Sequence, residues 1–143
     1  MGAQTSGLYL VNPKGFWATP LAEGLEKLGC ELLWNQWTPD ESTLSKVDFC
    51  IVNFNEGVRR PFDLWKLKRR LGKNVPIIGI DRDGPWHMGF RRRRLLAFKW
   101  LKLLDIYATH TLQPTYHFAP ATLYLANAAY TPHYNVSPEM LLE

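Results

Sequence analysis

Short apolar runs alternate with amphipathic stretches along this sequence, with no repeat and no low-complexity tract between them. Residues 7–11 (G-L-Y-L-V) predict a first strand. Thr19 offers an N-cap with Pro20 at the first helical position. Leu21, Leu25 and Leu28 follow at helical spacing, and Gly29 stops that helix. Residues 30–34 (C-E-L-L-W) predict a second strand. Thr38-Pro39-Asp40-Glu41 reads as a capping box opening a short helix. Residues 48–54 (D-F-C-I-V-N-F) predict a third strand, and Pro61 opens a helix whose Leu64, Leu67 and Leu71 share a face before Gly72. Residues 75–80 (V-P-I-I-G-I) form an unbroken apolar run, the pattern of a strand covered on both faces. A helix over 89–103 would bury Leu96, Trp100 and Leu103. Residues 105–109 and 122–126 predict strands five and six, with a short helix near Pro114 between them.

Strands joined by helices predict an α/β fold, a Rossmann-like, doubly wound parallel sheet of about six strands in three α/β/α layers. The expected order is 3-2-1-4-5-6. Ligands then bind beyond the carboxyl ends of the strands, near the switch between strands 1 and 4. The domain spans 1–130. Residues 131–143, with Pro132 and Pro138, read as the start of an interdomain linker or a tail.

That rule selects the loops that carry chemistry. After strand 1 stands Asn12-Pro13-Lys14-Gly15, where a nicotinamide or flavin site would need a full G-x-G-x-x-G. Only Gly15 is present, so no such cofactor is expected. Lys14 and nearby amides could meet an anion, or form a simple turn. After strand 3, Asn55 and Glu56 could bind sugar hydroxyls, with a plain Asx turn as the alternative. A phospho-receiver domain is excluded, because it needs an acidic pair after strand 1 and an acceptor Asp after strand 3.

The segment after strand 4, Asp81-Arg82-Asp83-Gly84-Pro85-Trp86-His87, is the most informative. Asp81, Asp83 or His87 could take a proton from an acceptor hydroxyl. Trp86 offers a stacking face. The competing reading makes the carboxylates turn and cap residues, with Trp86 packing the loop. Arg91, Arg92, Arg93 and Arg94 follow. They oppose the macrodipole at a helix start and repel one another, a cost that an anion would offset. His110 ends strand 5 on the same edge. The His spacings fit no zinc site and no Cys lies nearby, so metal is expected to be absent, and no Ser-His-Asp or Cys-His nucleophile arrangement can be argued.

Composition adds limits. The chain has 143 residues, a hydrophobic fraction of 46% and a net charge of +4. That is one globular domain, mildly basic, with the excess gathered in the arginine run. Cys30 and Cys50 fall at apolar runs, which suggests free thiols in a reducing, cytoplasmic compartment. No apolar stretch reaches the ~20 residues of a membrane span. The N-terminus lacks a signal pattern. Gly2 with Ser6 fits an acylation pattern only loosely.

The stretch V-P-I-I-G-I-D-R-D-G-P-W-H, then L-L-D-I-Y-A-T-H, then T-L-Y-L-A-N-A-A-Y resembles the second half of the N-terminal domain of GT-B glycosyltransferases. It is most similar to their spore-maturation-protein-like group. Asp81 and His87 match that group's polar loop, Asp105 its Asp-led strand, and Asn127-Ala128-Ala129 its exit segment. The glycine-rich loop many relatives carry after strand 1 is reduced here to Asn12-Pro13-Lys14-Gly15.

The resemblance implies an acceptor-side half of a metal-independent glycosyltransferase. A second domain, not contained in these residues, would bind the nucleotide-sugar donor. The acceptor would be a sugar, lipid or protein. Lys14 and the arginines would handle phosphate or headgroup, with an anionic membrane surface at the inner membrane face as a further partner. A standalone Rossmann-like module that binds a nucleotide or protein without catalysis is the alternative. Nucleic acid is the least favoured partner.

Overall fold

The computed structural model describes residues 4–13, 18–82, 92–109 and 118–125. Lys14, Gly15, Asp83, Trp86, His87, Arg91 and His110 lie outside the described residues, as do the short helix expected near Pro114, the expected exit segment 127–129 and the tail.

Six strands form one sheet: β1 (Ser6–Leu10), β2 (Glu31–Trp34), β3 (Phe49–Asn53), β4 (Ile77–Asp81), β5 (Ile106–Thr109) and β6 (Ala121–Tyr124). All five pairings are parallel. The described helices are α1 (Ala18–Lys27), α2 (Glu41–Leu44), α3 (Phe54–Arg59), α4 (Pro61–Leu71) and α5 (Arg92–Trp100). The predicted α/β class, Rossmann-like and parallel with helices on both faces, is the fold observed.

The order is β2-β1-β3-β4-β5-β6, which corrects the expected 3-2-1-4-5-6. β3 lies between β1 and β4, so the winding direction reverses at β1 and β3. A crossover of given length can reach either side of a sheet, which is why the sequence pattern alone misplaces β3.

Alternation along each strand divides the core into two layers. Leu8, Leu10, Cys50, Val52, Ile77 and Tyr107 pack with α2, α3, α4 and α5 on one face. Tyr9, Val11, Ile51, Ile80 and Ala108 pack with Ala18 and Ala22 of α1 on the other. Right-handed crossovers produce this division, since the chain steps one way from β1 to β2 and the other way afterwards.

Two aspartates clip the amino edge of the sheet in the same manner. Asp48, just before β3, accepts from the Ser6 N–H through Oδ2 at 2.9 Å, and its own N–H donates to the Ser6 carbonyl at 2.8 Å. Asp105, just before β5, accepts from the Ile77 N–H at 2.9 Å and donates to the Ile77 carbonyl at 2.9 Å. Its other carboxylate oxygen accepts from Lys68 Nζ at 2.9 Å, and Lys68 also donates to the carbonyls of Lys102 and Leu103 beyond the end of α5. Each clip satisfies the first strand N–H, which would otherwise lack an acceptor.

Four local expectations change. α1 begins at Ala18, so Thr19 and Pro20 lie in its first turn rather than at the cap and first position. Pro20 is tolerated there because a first-turn N–H has no intrahelical acceptor. Asp40, not Thr38, caps α2, accepting from the Thr43 N–H. The segment after β3 is helix α3, not a loop, and Asn53 caps it by accepting from the Asn55 N–H. In α5, Phe98 is fully buried, whereas Leu96 and Trp100 point to solvent at 45% and 81% exposure.

β4 is central, with neighbours on both edges. Gly79 at its middle lets Leu104 close over the strand, because a Cβ there would collide with the Leu104 side chain. Leu104 is itself buried and has little room to yield. Gly79→Ala is therefore expected to destabilise the fold by about 1–3 kcal/mol, as overpacking does. Urea unfolding measures it, and an unchanged midpoint would show that Leu104 repacks freely.

Candidate functional site

Reversal at β1 and β3 moves the crevice of a doubly wound sheet to the carboxyl ends of those strands. An open cleft of ≈ 880 Å³ lies there, within the ordinary range for small-molecule sites. β1 supplies Leu10 and, just past its end, Asn12. The segment after β2 supplies Asn35 to Asp40, α2 supplies Thr43, and Glu56 and Arg60 come from α3 and its C-terminal cap.

Each element delivers its side chains for a local reason. Asn35 turns the chain away from β2 with φ 53, a left-handed conformation that Asn tolerates better than most residues. Its Oδ1 then accepts from Trp37 Nε1 at 3.1 Å, which fixes the indole at the cleft wall. The Arg60 guanidinium lies over the Trp37 ring, 5.3 Å from its centroid, a cation–π contact joining two sides of the cleft. Glu56 pairs with Arg59 at 3.3 Å along α3.

Asp40 is the anchored carboxylate. Its Oδ1 accepts from the Thr43 N–H at 2.8 Å and from Ser42 Oγ at 3.0 Å. The Thr43 bonds first, then the Ser42 bond and the charge of Arg70, hold its carboxyl below the ordinary value of 3.8. A carboxylate so held stays ionised and accepts hydrogen bonds; it is a poor proton shuttle. The lining as a whole offers amide donors and acceptors from Asn12, Asn35 and Gln36, a Thr38 hydroxyl, two carboxylates, a guanidinium and an indole. That set suits a ligand rich in hydroxyl groups.

The sequence-predicted residues divide as follows. Asn12 and Glu56 line the cleft. Asn55 sits in the first turn of α3, with a buried Oδ1 that has no hydrogen-bond partner among the described residues. Asp81 ends β4 at 1% exposure and does not line this cleft. Its Oδ2 accepts from the Tyr107 hydroxyl at 2.5 Å, on the helix-rich side of the sheet. Arg93 and Arg94 are exposed on α5, away from the cleft lining. Sequence reasoning passed over Gln36, Trp37, Asp40 and Arg60. The signal was present in N-Q-W-T-P-D, a polar and aromatic run at the end of strand 2, but the expected strand order drew attention to β4.

Two buried reactive groups are inert. Burial pushes the Cys50 thiol up to about 12 and raises the Tyr9 phenol as well, while the Tyr9 hydroxyl donates to the Ala18 carbonyl at 2.8 Å. Among the described residues no cluster of His, Cys, Asp and Glu is arranged to hold a metal ion. None of the described helices is long and apolar enough to cross a membrane.

The Asp81–Tyr107 bond fastens the end of β4 to β5. Tyr107→Phe removes one donor from the buried Asp81 carboxyl and is expected to cost about 1–3 kcal/mol, the range for leaving a buried polar group short of a partner. Thermal unfolding of the variant measures this; a melting curve superimposable on the parent would show that the bond contributes nothing.

No protein-family model matches this chain, and no curated protein and no solved structure matches it.

Proposed function

We propose that this domain is the acceptor-binding, N-terminal half of a GT-B glycosyltransferase, and that the cleft at the ends of β1 and β3 holds the acceptor. The observation that carries the reading is the lining of that cleft: amides, carboxylates, a guanidinium and a fixed indole at the ligand-binding edge of a parallel sheet. Sugars are recognised by such sets, with hydroxyls bonded to planar polar groups and C–H faces laid on an aromatic ring. The motif resemblance through Asp81, His87 and Asp105 supports the same assignment.

In this reading the acceptor hydroxyl oxygen bonds to the anomeric carbon of the donor. The bond from that carbon to the diphosphate breaks, and the nucleoside diphosphate leaves with the electron pair. The hydroxyl proton passes to a base in the segment that follows β4 in the sequence, where Asp83 and His87 are the candidates and Trp86 would stack on the acceptor. Asp81, bonded to Tyr107, acts as a positioning residue at the start of that segment. Lys14 and the arginines interact with phosphate. A second domain supplies the donor site, and two free cysteines accord with a cytoplasmic location.

The isolated chain is then expected to bind acceptor sugars weakly and nucleotide-sugars hardly at all. Calorimetric titration with a panel of mono- and oligosaccharides and of nucleotide-sugars tests this. Trp37→Ala and Arg60→Ala should each lower sugar affinity about tenfold, or ~1.4 kcal/mol, while the fold persists. Nucleotide-sugar binding at about micromolar affinity would instead favour a standalone nucleotide-binding module.

A further inference from the structure

The charge of this chain is strongly segregated. Residues 59–105 hold 14 of its 17 Lys and Arg but 4 of its 13 Asp and Glu, so the remainder of the chain is net acidic. This stretch contains α4, β4 and α5. Lys66, Arg69 and Arg70 on α4, and Arg93, Arg94 and Lys99 on α5, are exposed, while Lys68 of α4 is half-buried against Asp105. The first turn of α5 contains no acidic residue to offset its arginines.

The outward ridge of α5 is apolar where a soluble helix is usually polar. Phe98 fixes the inward direction, being fully buried. At ~100° per residue, the positions most nearly opposite it are 96 and 100, with 93 beside them. Leu96 and Trp100 are 45% and 81% exposed there. A leucine and a tryptophan one turn apart, ringed by cations, therefore project from the basic side of the domain.

We infer that the outer face of α5 docks on an anionic lipid surface. Cations on such a face are drawn to acidic headgroups, Trp favours the headgroup level, and Leu gains from burial at the acyl boundary. An anionic headgroup at the start of α5 would also offset the repulsion of consecutive arginines against the helix dipole. A second copy of the chain fits less well, because two like-charged faces repel. A nucleic-acid backbone would satisfy the arginines but leave Leu96 in water. The inference is independent of the sugar cleft, which opens between β1, β2 and α3.

Co-sedimentation of the chain with vesicles tests it, using phosphatidylcholine alone and phosphatidylcholine mixed with phosphatidylglycerol. Binding is expected only to the anionic vesicles and should weaken with added salt. The pair Arg93→Glu and Lys99→Glu should lower partitioning roughly 25-fold or more, at about fivefold per cation lost. The pair Leu96→Ser and Trp100→Ser should also lower it about tenfold or more by removing apolar burial. Leu28→Ser, at a site 81% exposed beyond the end of α1, should leave it unchanged. Circular-dichroism melts confirm that each variant is folded. Absence of binding, or equal binding by all variants, overturns the inference. So does a single-stranded oligonucleotide bound in place of vesicles, or a lipid-independent dimer dispersed by Trp100→Ser.

Discussion

The packing of Phe54 against its aromatic neighbours is the contact on which the carboxyl edge of the sheet depends. Phe54 is the first residue of α3, directly after β3, and is fully buried. Its ring meets Phe98 of α5 and Tyr107 of β5 edge-on, both at 5.3 Å between centroids, and Phe118 before β6 at 4.9 Å. Edge-to-face contacts of this kind add about 0.5–1.5 kcal/mol each beyond the area buried. They join α3, α5, β5 and the segment before β6 at one point. Asn53, Asn55, Glu56 and Arg60 are placed by the helix that starts at Phe54, and Asp81 is placed by the hydroxyl of Tyr107. The α3 side of the cleft and the end of β4 thus share one buried aromatic group.

The strands were legible because a parallel sheet buried on both faces demands continuous apolar runs, and residues 49–52 and 77–80 supply them. Their order was not legible, and the consequence fell on the site. Placing β4 beside β1 directed attention to Asp81, whereas β3 holds that place and opens the cleft beside Trp37 and Arg60. Asn12 and Glu56 were found because they flank β1 and β3 under either order. Helix α3 was hidden because it follows β3 without a spacer and contains Gly57, a poor helix former. The glycine has a reason in packing, since a Cβ there would press on the Phe98 ring at 3.2 Å. In α5 two apolar stripes compete. Leu95, Phe98 and Leu101 turn to the core, while Leu96 and Trp100, equally well spaced, turn outward.

Two surfaces with different chemistry emerge from this arrangement. The cleft between β1, β2 and α3 is lined by hydrogen-bonding groups of both signs, held by the Asn35–Trp37 bond and the Asp40 cap. The outer face of α5 is basic and apolar. A transferase acting on an acceptor at a lipid surface would use both, one to hold hydroxyl groups and the other to bring the domain to them.

The central claim is that the cleft at the β1–β3 switch receives a polyhydroxylated acceptor. Amide and indole chemical-shift mapping of the labelled chain, titrated with a panel of oligosaccharides, measures this site by site. The account predicts concerted shifts of Asn12, Asn35 and Gln36 together with the Trp37 indole N–H. Shifts confined to other surfaces, or none from any saccharide, would contradict it.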